Sequence, residues 1–283
     1  MVATVPGTSR HTLTTGEFQQ LAAMVYSQCG INIVIGKKIL LESRLSKRLH
    51  TLSMGSFADY IDYVQSSEGI EKELVHMVDV VTTNKTDFFR EPHHFEFMTK
   101  ELLPAHHEEF SGSPFKVWSS ACSSGEEPYT LAMVLEDFAR QHPRFTYSIA
   151  ASDISTQVLQ KAATAVYPEH LVHVLPSETK RRYLLRSKDR VKPTVRIVQS
   201  LRDKVKFLRL NLMDTDWEVE GNLDAVFCRN VLIYFDRKTQ HEVVSKLLRK
   251  LRPGGFLFIG HSESLHQFDL PIKQVKPTIF IKK

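Results

Sequence analysis

The chain has 283 residues, 42% of them hydrophobic and 24% charged, an ordinary globular composition that can bury a core in one large domain or two smaller ones. No apolar run approaches the roughly 18 residues of a membrane span. The polar start from Met1 to Thr15 lacks the basic-then-apolar layout of a signal peptide, and Cys29, Cys122 and Cys228 are too scattered for a disulfide framework or a metal-binding spacing. A protein of the reducing cytoplasm is expected. The net charge of +5 hides an asymmetry. Eleven Lys or Arg residues face three acids between Ser177 and Lys206, a local +8, while the remainder carries 26 basic and 29 acidic residues and sums to −3. Such a patch suits an acidic partner, nucleic acid or protein, or is a solvated surface ribbon.

The first third reads as helices. Phe18, Leu21, Ala22 and Val25 recur at helical spacing and Gly30 is placed to end that helix. Leu41, Leu45, Leu49 and Leu52 form a second stripe. Ser56 caps a third helix with Phe57, Ile61 and Val64, and Leu74, Val75 and Val78 lie on a fourth. These elements predict a small helical domain over residues 15–80.

From Phe115 the pattern changes to alternating strands and helices. Phe115–Ser119 is an apolar strand, and Pro128 sits in the first turn of the next helix, where its missing N–H has no partner to lose. Tyr147–Ala151 is a second strand ending at Asp153. Ser155 then caps a helix whose apolar face is Val158, Leu159, Ala162, Ala163 and Val166. Val205–Leu210 and Ala225–Cys228 are further strands. Asp236 caps a helix ended by Pro253-Gly254-Gly255, and Phe256–Ile259 returns as a strand. The segments Lys273–Val275 and Thr278–Ile281 form an edge pairing or short hairpin. Alternation of this kind predicts a doubly wound, mostly parallel sheet. The long connection at about 177–206, with strand-like pieces at Arg182–Arg186 and Thr194–Val198, reads as an inserted β-hairpin carrying the +8 charge.

In such a sheet, ligands bind beyond the carboxyl ends of the strands. After the first strand come the small residues Ser119 to Gly125, followed by Glu126 and Glu127 at a helix start. Asp153 follows the second strand, where a carboxylate accepts from ribose hydroxyls; Asn211, with an amide suited to adenine, follows the third; Cys228-Arg229-Asn230 follows the fourth and leads to Tyr234. Taken singly, Glu126 and Glu127 are good first-turn residues and Asp153 and Asn211 good turn residues; their conjunction points to a site. A pyrophosphate needs a Gly-rich turn and an uncluttered helix N-terminus. One glycine with two carboxylates instead favours a cationic, phosphate-free nucleoside, so S-adenosylmethionine (SAM) is expected rather than NAD or ATP.

Three segments resemble the signatures of the CheR family of chemotaxis receptor glutamate O-methyltransferases: Thr82-Thr83-Asn84-Lys85-Thr86-Asp87-Phe88-Phe89-Arg90, Ser124-Gly125-Glu126-Glu127-Pro128-Tyr129 and Phe227-Cys228-Arg229-Asn230-Val231-Leu232-Ile233-Tyr234-Phe235. Arg252-Pro253-Gly254-Gly255 is shared with many SAM methyltransferases. The resemblance implies a helical domain, a linker over residues 81–95 that contributes to the cofactor site, and a Rossmann-like SAM methyltransferase domain over 96–283 with an inserted antiparallel β-subdomain. It further implies cofactor contacts from Asn84, Thr86, Arg90, Glu127, Asp153, Asn211, Leu212 and the backbone at Cys228, Arg229 and Asn230. Arg90, Arg229 and Tyr234 are the candidates for orienting the substrate carboxylate.

A glutamate carboxylate is already an anion at neutral pH, so its methylation needs placement rather than a general base. The pairs His93-His94 and His106-His107 point apart on helices, a poor metal site, and no metal is expected. The resemblance implies the receptors' cytoplasmic methylation helices as partners, with the basic Lys37, Lys38, Arg44, Lys47 and Arg48 facing them or forming a solvated face. The turn Ser187–Pro193 lacks the glycines of members that dock a receptor C-terminal pentapeptide, so no tether is expected. A monomer without nucleic-acid binding or membrane insertion is expected. The rival readings are a SAM-dependent RNA methyltransferase and a non-catalytic SAM-binding signalling module.

Overall fold

A computed structural model describes residues 12–110 and 112–283. Most of the start, Met1–His11, where no signal peptide is expected, lies outside the described residues. Among these no helix is long and apolar enough to cross a membrane. The chain divides into two compact units between Thr83 and Asn84.

Among the described residues, five α-helices and a 3-10 turn (Ile35–Lys37) make the first unit. Helix α1 (Thr15–Cys29) opens with a capping box between Thr14 and Glu17 and closes at Gly30, whose φ of 71° suits glycine. Helix α2 (Lys38–Thr51) buries Leu41, Leu45 and Leu49, and α3 (Phe57–Gln65), capped by Ser56, buries Phe57, Tyr60, Ile61 and Val64. Helix α4 (Ser67–Lys72) was not anticipated, because six residues are too few to display a helical period. Helix α5 (Leu74–Val81) buries Met77, Val78 and Val81, whereas Leu74 and Val75 stay half-buried.

The basic stripe of α2 is less free than its sequence suggests. Arg44 donates to the carbonyls of Val81 and Thr82 and to Thr83 Oγ1. Arg48 forks onto the buried Glu73 at 2.8 and 2.6 Å, and Tyr60 Oη donates to the same carboxylate at 3.0 Å. Two of the five cations are therefore structural, so neither expectation, a partner-facing stripe or a solvated face, holds for all five. Helices α3 and α4 approach closely at Gly69, where an added Cβ would lie 1.8 Å from the Tyr63 carbonyl oxygen and 2.8 Å from Val64 Cα. Backbone cannot step aside as a side chain can. Gly69→Ala is expected to destabilise this unit by about 3 kcal/mol, read as a lower midpoint in urea unfolding.

The second unit begins with α6 (His93–Phe97), a π-helical turn (Met98–Leu102) and α7 (Leu103–Glu109). There follow β1 (Phe115–Ser119), α8 (Glu126–Gln141), β2 (Tyr147–Asp153), α9 (Thr156–Thr164), β3 (Val166–Pro168), α10 (Ser177–Tyr183), β4 (Leu184–Arg186), β5 (Thr194–Ile197), α11 (Gln199–Arg202), β6 (Val205–Arg209), β7 (Leu223–Cys228), α12 (Arg237–Lys250), β8 (Leu251–Ile259), β9 (Ile272–Lys276) and β10 (Ile279–Lys282). Seven strands form one sheet in the order β6-β2-β1-β7-β8-β10-β9, and β10 runs antiparallel to both of its neighbours. Parallel pairing brings Ser119 level with Ala151 on one side and Phe227 on the other, so the ends of β1, β2 and β7 lie together. Its core is aromatic, with Phe115, Trp118, Phe227 and Phe258 completely buried.

Three elements differ from their sequence reading. Helix α9 stops at Thr164 because Ala165 turns left-handed, φ 55°, so Val166 leaves the helical face and begins β3. That strand joins β5 and β4, and the insert is a three-stranded sheet rather than a hairpin, with Arg182 on the helix before it. The glycine-free turn between β4 and β5 is held by Asp189, whose carboxylate accepts from the N–H groups of Val191 (2.8 Å) and Lys192 (3.1 Å). Arg252-Pro253-Gly254-Gly255 does not precede the strand but lies within β8 as an irregularity: Leu223 pairs with Leu251, whereas Ala225 pairs with Phe256. The expected closing pair is present: β9 and β10 form a short antiparallel hairpin at the sheet edge, with β9 outermost.

Candidate functional site

Strand order reverses at β1 and β7: the chain proceeds through β2 and β6 on one side and through β8 on the other. The crevice beyond their carboxyl ends is therefore the topological switch point. Six short segments meet there, starting at Asn84, Ser119, Asp153, Asn211, Cys228 and Gly260.

Gly125 makes the turn from β1 into α8 with a φ of 98°, and a Cβ there would lie 2.8 Å from Tyr167 Oη and 2.9 Å from Ala162 Cβ. Tight packing on both sides fixes the loop that precedes it. Asp153, 8% exposed, ties this loop to the second strand end: one oxygen accepts from Ser123 N at 2.9 Å and the other from Ser155 N at 3.0 Å. Ser123 Oγ also donates to the Asn84 carbonyl at 3.0 Å, which draws the segment 84–91 to the crevice.

Arg229 is the centre of the arrangement. Its side chain is 2% exposed and lies between two carboxylates, with Nη1 3.1 Å from Glu127 Oε2 and Nε 3.5 Å from Glu91 Oε2. Nη2 donates to the Arg90 carbonyl, and the guanidinium lies 5.7 Å from the centre of the Phe95 ring and 6.0 Å from that of Phe227. Glu127 also accepts from Ser119 Oγ at 2.6 Å. The guanidinium that was expected to orient a substrate carboxylate thus already serves two protein carboxylates.

Burial raises the Glu127 carboxyl above its ordinary range, opposed chiefly by the Arg229 charge and the Ser119 hydroxyl. Glu126 is likewise raised by burial, against the Ser124 hydroxyl bond. Burial alone would also raise Glu91, but the His261 hydrogen bond and the Arg229 charge outweigh it and bring it to about 2. His94, wholly buried, is lowered to about 3 by burial, then by Arg229 and His93, and stays neutral at physiological pH.

The remaining predicted residues lie on the same segments or beside them in the chain. Arg90 is half-buried, with Nη1 donating to the Lys85 carbonyl at 2.9 Å; Thr86 is half-buried nearby in sequence. Asn211 ends β6 and its side-chain oxygen accepts from Met213 N at 3.0 Å, with Leu212 buried beside it. Cys228 is fully buried and its thiol is pushed up by burial, which makes it unreactive. Asn230 adopts a left-handed conformation, φ 59°, and Tyr234 is half-buried at the end of the 3-10 turn Leu232–Tyr234.

Two acidic residues escaped the sequence reading. Glu263, 9% exposed, accepts from the N–H groups of Gly260 (2.5 Å), Asn230 (3.0 Å) and Leu232 (2.8 Å), and so pins the loop after β7. Glu91 accepts from His261 N (3.1 Å), His261 Nδ1 (2.9 Å) and Asn230 Nδ2 (3.4 Å). Applying the strand-end rule to β8, as to the other strands, would have found Gly260-His261-Ser262-Glu263. Glu91 directly follows the Arg90 motif but its partners are distant in sequence. Of the paired histidines, His94 and His106 pack among phenylalanine rings, and no group of three metal-binding side chains occurs among the described residues.

The residues fit SAM. Carboxylates gathered around a single buried guanidinium would repel phosphate and accept a cation, and Asp153 sets a further buried carboxylate at the end of β2. An antiparallel strand set within an otherwise parallel, doubly wound sheet, together with this acidic switch point, defines the class of SAM-dependent methyltransferases. Residues 84–281 match the family profile described as "CheR methyltransferase, SAM binding domain", and residues 16–82 match "CheR methyltransferase, all-alpha domain". The chain belongs to the CheR methyltransferase family. It is 39% identical to chemotaxis protein methyltransferase 2 of Pseudomonas aeruginosa over 271 residues, covering 94% of this chain and 93% of the relative. It is 39% identical to the chemotaxis protein methyltransferase of Borreliella burgdorferi, covering 89% of each, and 37% identical to that of Escherichia coli, covering 93% and 89%.

Proposed function

We propose that this methyltransferase esterifies glutamate side chains on the cytoplasmic methylation helices of chemotaxis receptors, forming methyl esters for sensory adaptation. The observation that carries the reading is the buried Glu91–Arg229–Glu127 cluster at the switch point, in a chain similar over most of its length to chemotaxis protein methyltransferases. When bound, SAM supplies an activated methyl group on a sulfonium that leaves as a neutral thioether.

The chain's own residues then have separable tasks. Asp153 accepts from the ribose, and Asn211 with the backbone at Leu212 holds adenine. Glu127 and the backbone from Cys228 to Asn230 line the methionine end, with Asn84, Thr86 and Arg90 closing over it. Arg229 acts from behind this layer: it fixes Glu127 and does not itself grip the substrate. Arg90 orients the incoming carboxylate, and Tyr234 completes its placement. No proton has to leave the nucleophile, so positioning and exclusion of water account for the rate.

The insert takes a modest electrostatic part. Arg182 is paired with Asp137 and Glu178, and Arg186 with Glu169, which removes two charges from the patch. Lys188, Arg190 and Lys192 lie on the exposed turn and suit an acidic protein surface, and no C-terminal peptide tether is assigned to it.

Incubation with tritiated SAM and a receptor cytoplasmic fragment should label the fragment, and mild alkali should release the label as volatile methanol. Label stable to alkali, or appearing in RNA instead, would eliminate glutamate ester formation.

A further inference from the structure

We infer that Glu91 is a specificity-determining residue: by sharing the buried guanidinium of Arg229 with Glu127, it keeps a net negative charge in the crevice and so favours a sulfonium ligand over its neutral thioether product. The inference rests on the cofactor reading above and concerns a residue outside the predicted set.

The charge count is the starting point. One guanidinium, 2% exposed, faces two carboxylates that are 9% and 12% exposed, so with both ionised the cluster Glu91–Arg229–Glu127 sums to −1, while half-buried Arg90 adds a cation near Glu127 and buried Asp153 a further carboxylate. His94 does not cancel the excess. Its Nε2 meets Thr278 Oγ1 at 2.8 Å, and because that hydroxyl donates to the Pro277 carbonyl at 2.6 Å, Nε2 must be the donor. The other ring nitrogen, Nδ1, is 3.6 Å from Glu91 Oε2 and has no hydrogen-bond partner.

The geometry also shows that Glu91 holds Arg229 by charge rather than by a directed bond. Glu91 Oε2 and Arg229 Nε are both buried and neither makes a hydrogen bond, although they are 3.5 Å apart. The other oxygen, Oε1, anchors the side chain to His261 and Asn230. A glutamine at this position can therefore keep the anchor through its carbonyl oxygen while losing the charge. Arg229 would then neutralise Glu127, and the cluster would sum to zero. Glu91 is itself held with a φ of 57°, which a non-glycine residue adopts only where its surroundings impose it.

The test is calorimetric binding of SAM and S-adenosylhomocysteine to the full chain, as wild type, Glu91→Gln and Glu91→Asp. In Glu91→Gln, SAM affinity should fall on the order of fivefold relative to S-adenosylhomocysteine affinity, since only SAM carries the sulfonium charge. Glu91→Asp retains the charge and should keep the wild-type ratio even if both affinities drop through its shorter reach. An unchanged ratio in Glu91→Gln would overturn the inference, and so would a parallel loss of both ligands in every variant, which would make Glu91 a purely structural anchor. If the wild type binds neither ligand, the cofactor reading itself fails and the inference with it.

Discussion

Replacing Arg229 by alanine should destabilise the second unit by about 3–5 kcal/mol at neutral pH, because it leaves Glu91 and Glu127 as uncompensated buried carboxylates. The cavity left among Phe95 and Phe227 adds to that loss. Arg229→Lys should recover only part of it: an ammonium is a single point, whereas the guanidinium meets Glu127, Glu91 and the Arg90 carbonyl through three different nitrogens. The size of the defect should depend on pH in a definite direction. In the wild type Glu91 is held at about 2, so the pair contributes stability that is present above the ordinary glutamate value and is lost as pH falls towards 2. Without Arg229 both carboxyls take up protons at higher pH, so the deficit of the alanine variant should shrink from pH 8 to pH 5. Urea unfolding of both proteins across that range measures it. A deficit below 1 kcal/mol, or one independent of pH, would mean that the cluster is weakly coupled and that Arg229 is available to a substrate.

Asp153→Ala should lower SAM affinity by at least about 100-fold, because a charged acceptor for two hydroxyls is removed and each such bond contributes about 1.5–3 kcal/mol. Its effect on the protein itself is also expected. Ser123 N and Ser155 N lose their acceptor, which loosens the loop after β1 and the start of α9, with a stability loss on the order of 2 kcal/mol. The two consequences are separable with Asp153→Asn, which keeps one acceptor oxygen for one of the two N–H groups: stability should recover in part while cofactor binding stays weak. Calorimetry at a temperature where every variant is folded gives the comparison. Unchanged affinity in Asp153→Ala would reduce the residue to a loop tether.

What could be read from residues alone follows local physics. Periodicity marked the Leu41-Leu45-Leu49 stripe, the caps at Ser56, Ser155 and Asp236 declared their helices, and strand–helix alternation announced the parallel sheet. The strand-end rule gathers Glu127, Asp153, Asn211 and Arg229 from the residues alone, since all of them follow apolar strands. Helix α4 and strand β3 were missed because six and three residues are too short to carry a period.

Tertiary structure alone decided the electrostatics. Sequence placed Glu127 and Arg229 in one site but not against each other, 102 residues apart in the chain, and gave no sign that Glu91, 138 residues before Arg229, would take the other side of the same guanidinium. Nor did it separate the cations of α2 into those that are structural and those that are not, because Arg48 meets Glu73 only when α2 and α5 pack. Periodicity and capping report what a residue does with neighbours three or four positions away; charge pairing across strand ends depends on which ends the sheet order brings together, and a one-dimensional pattern contains no term for that.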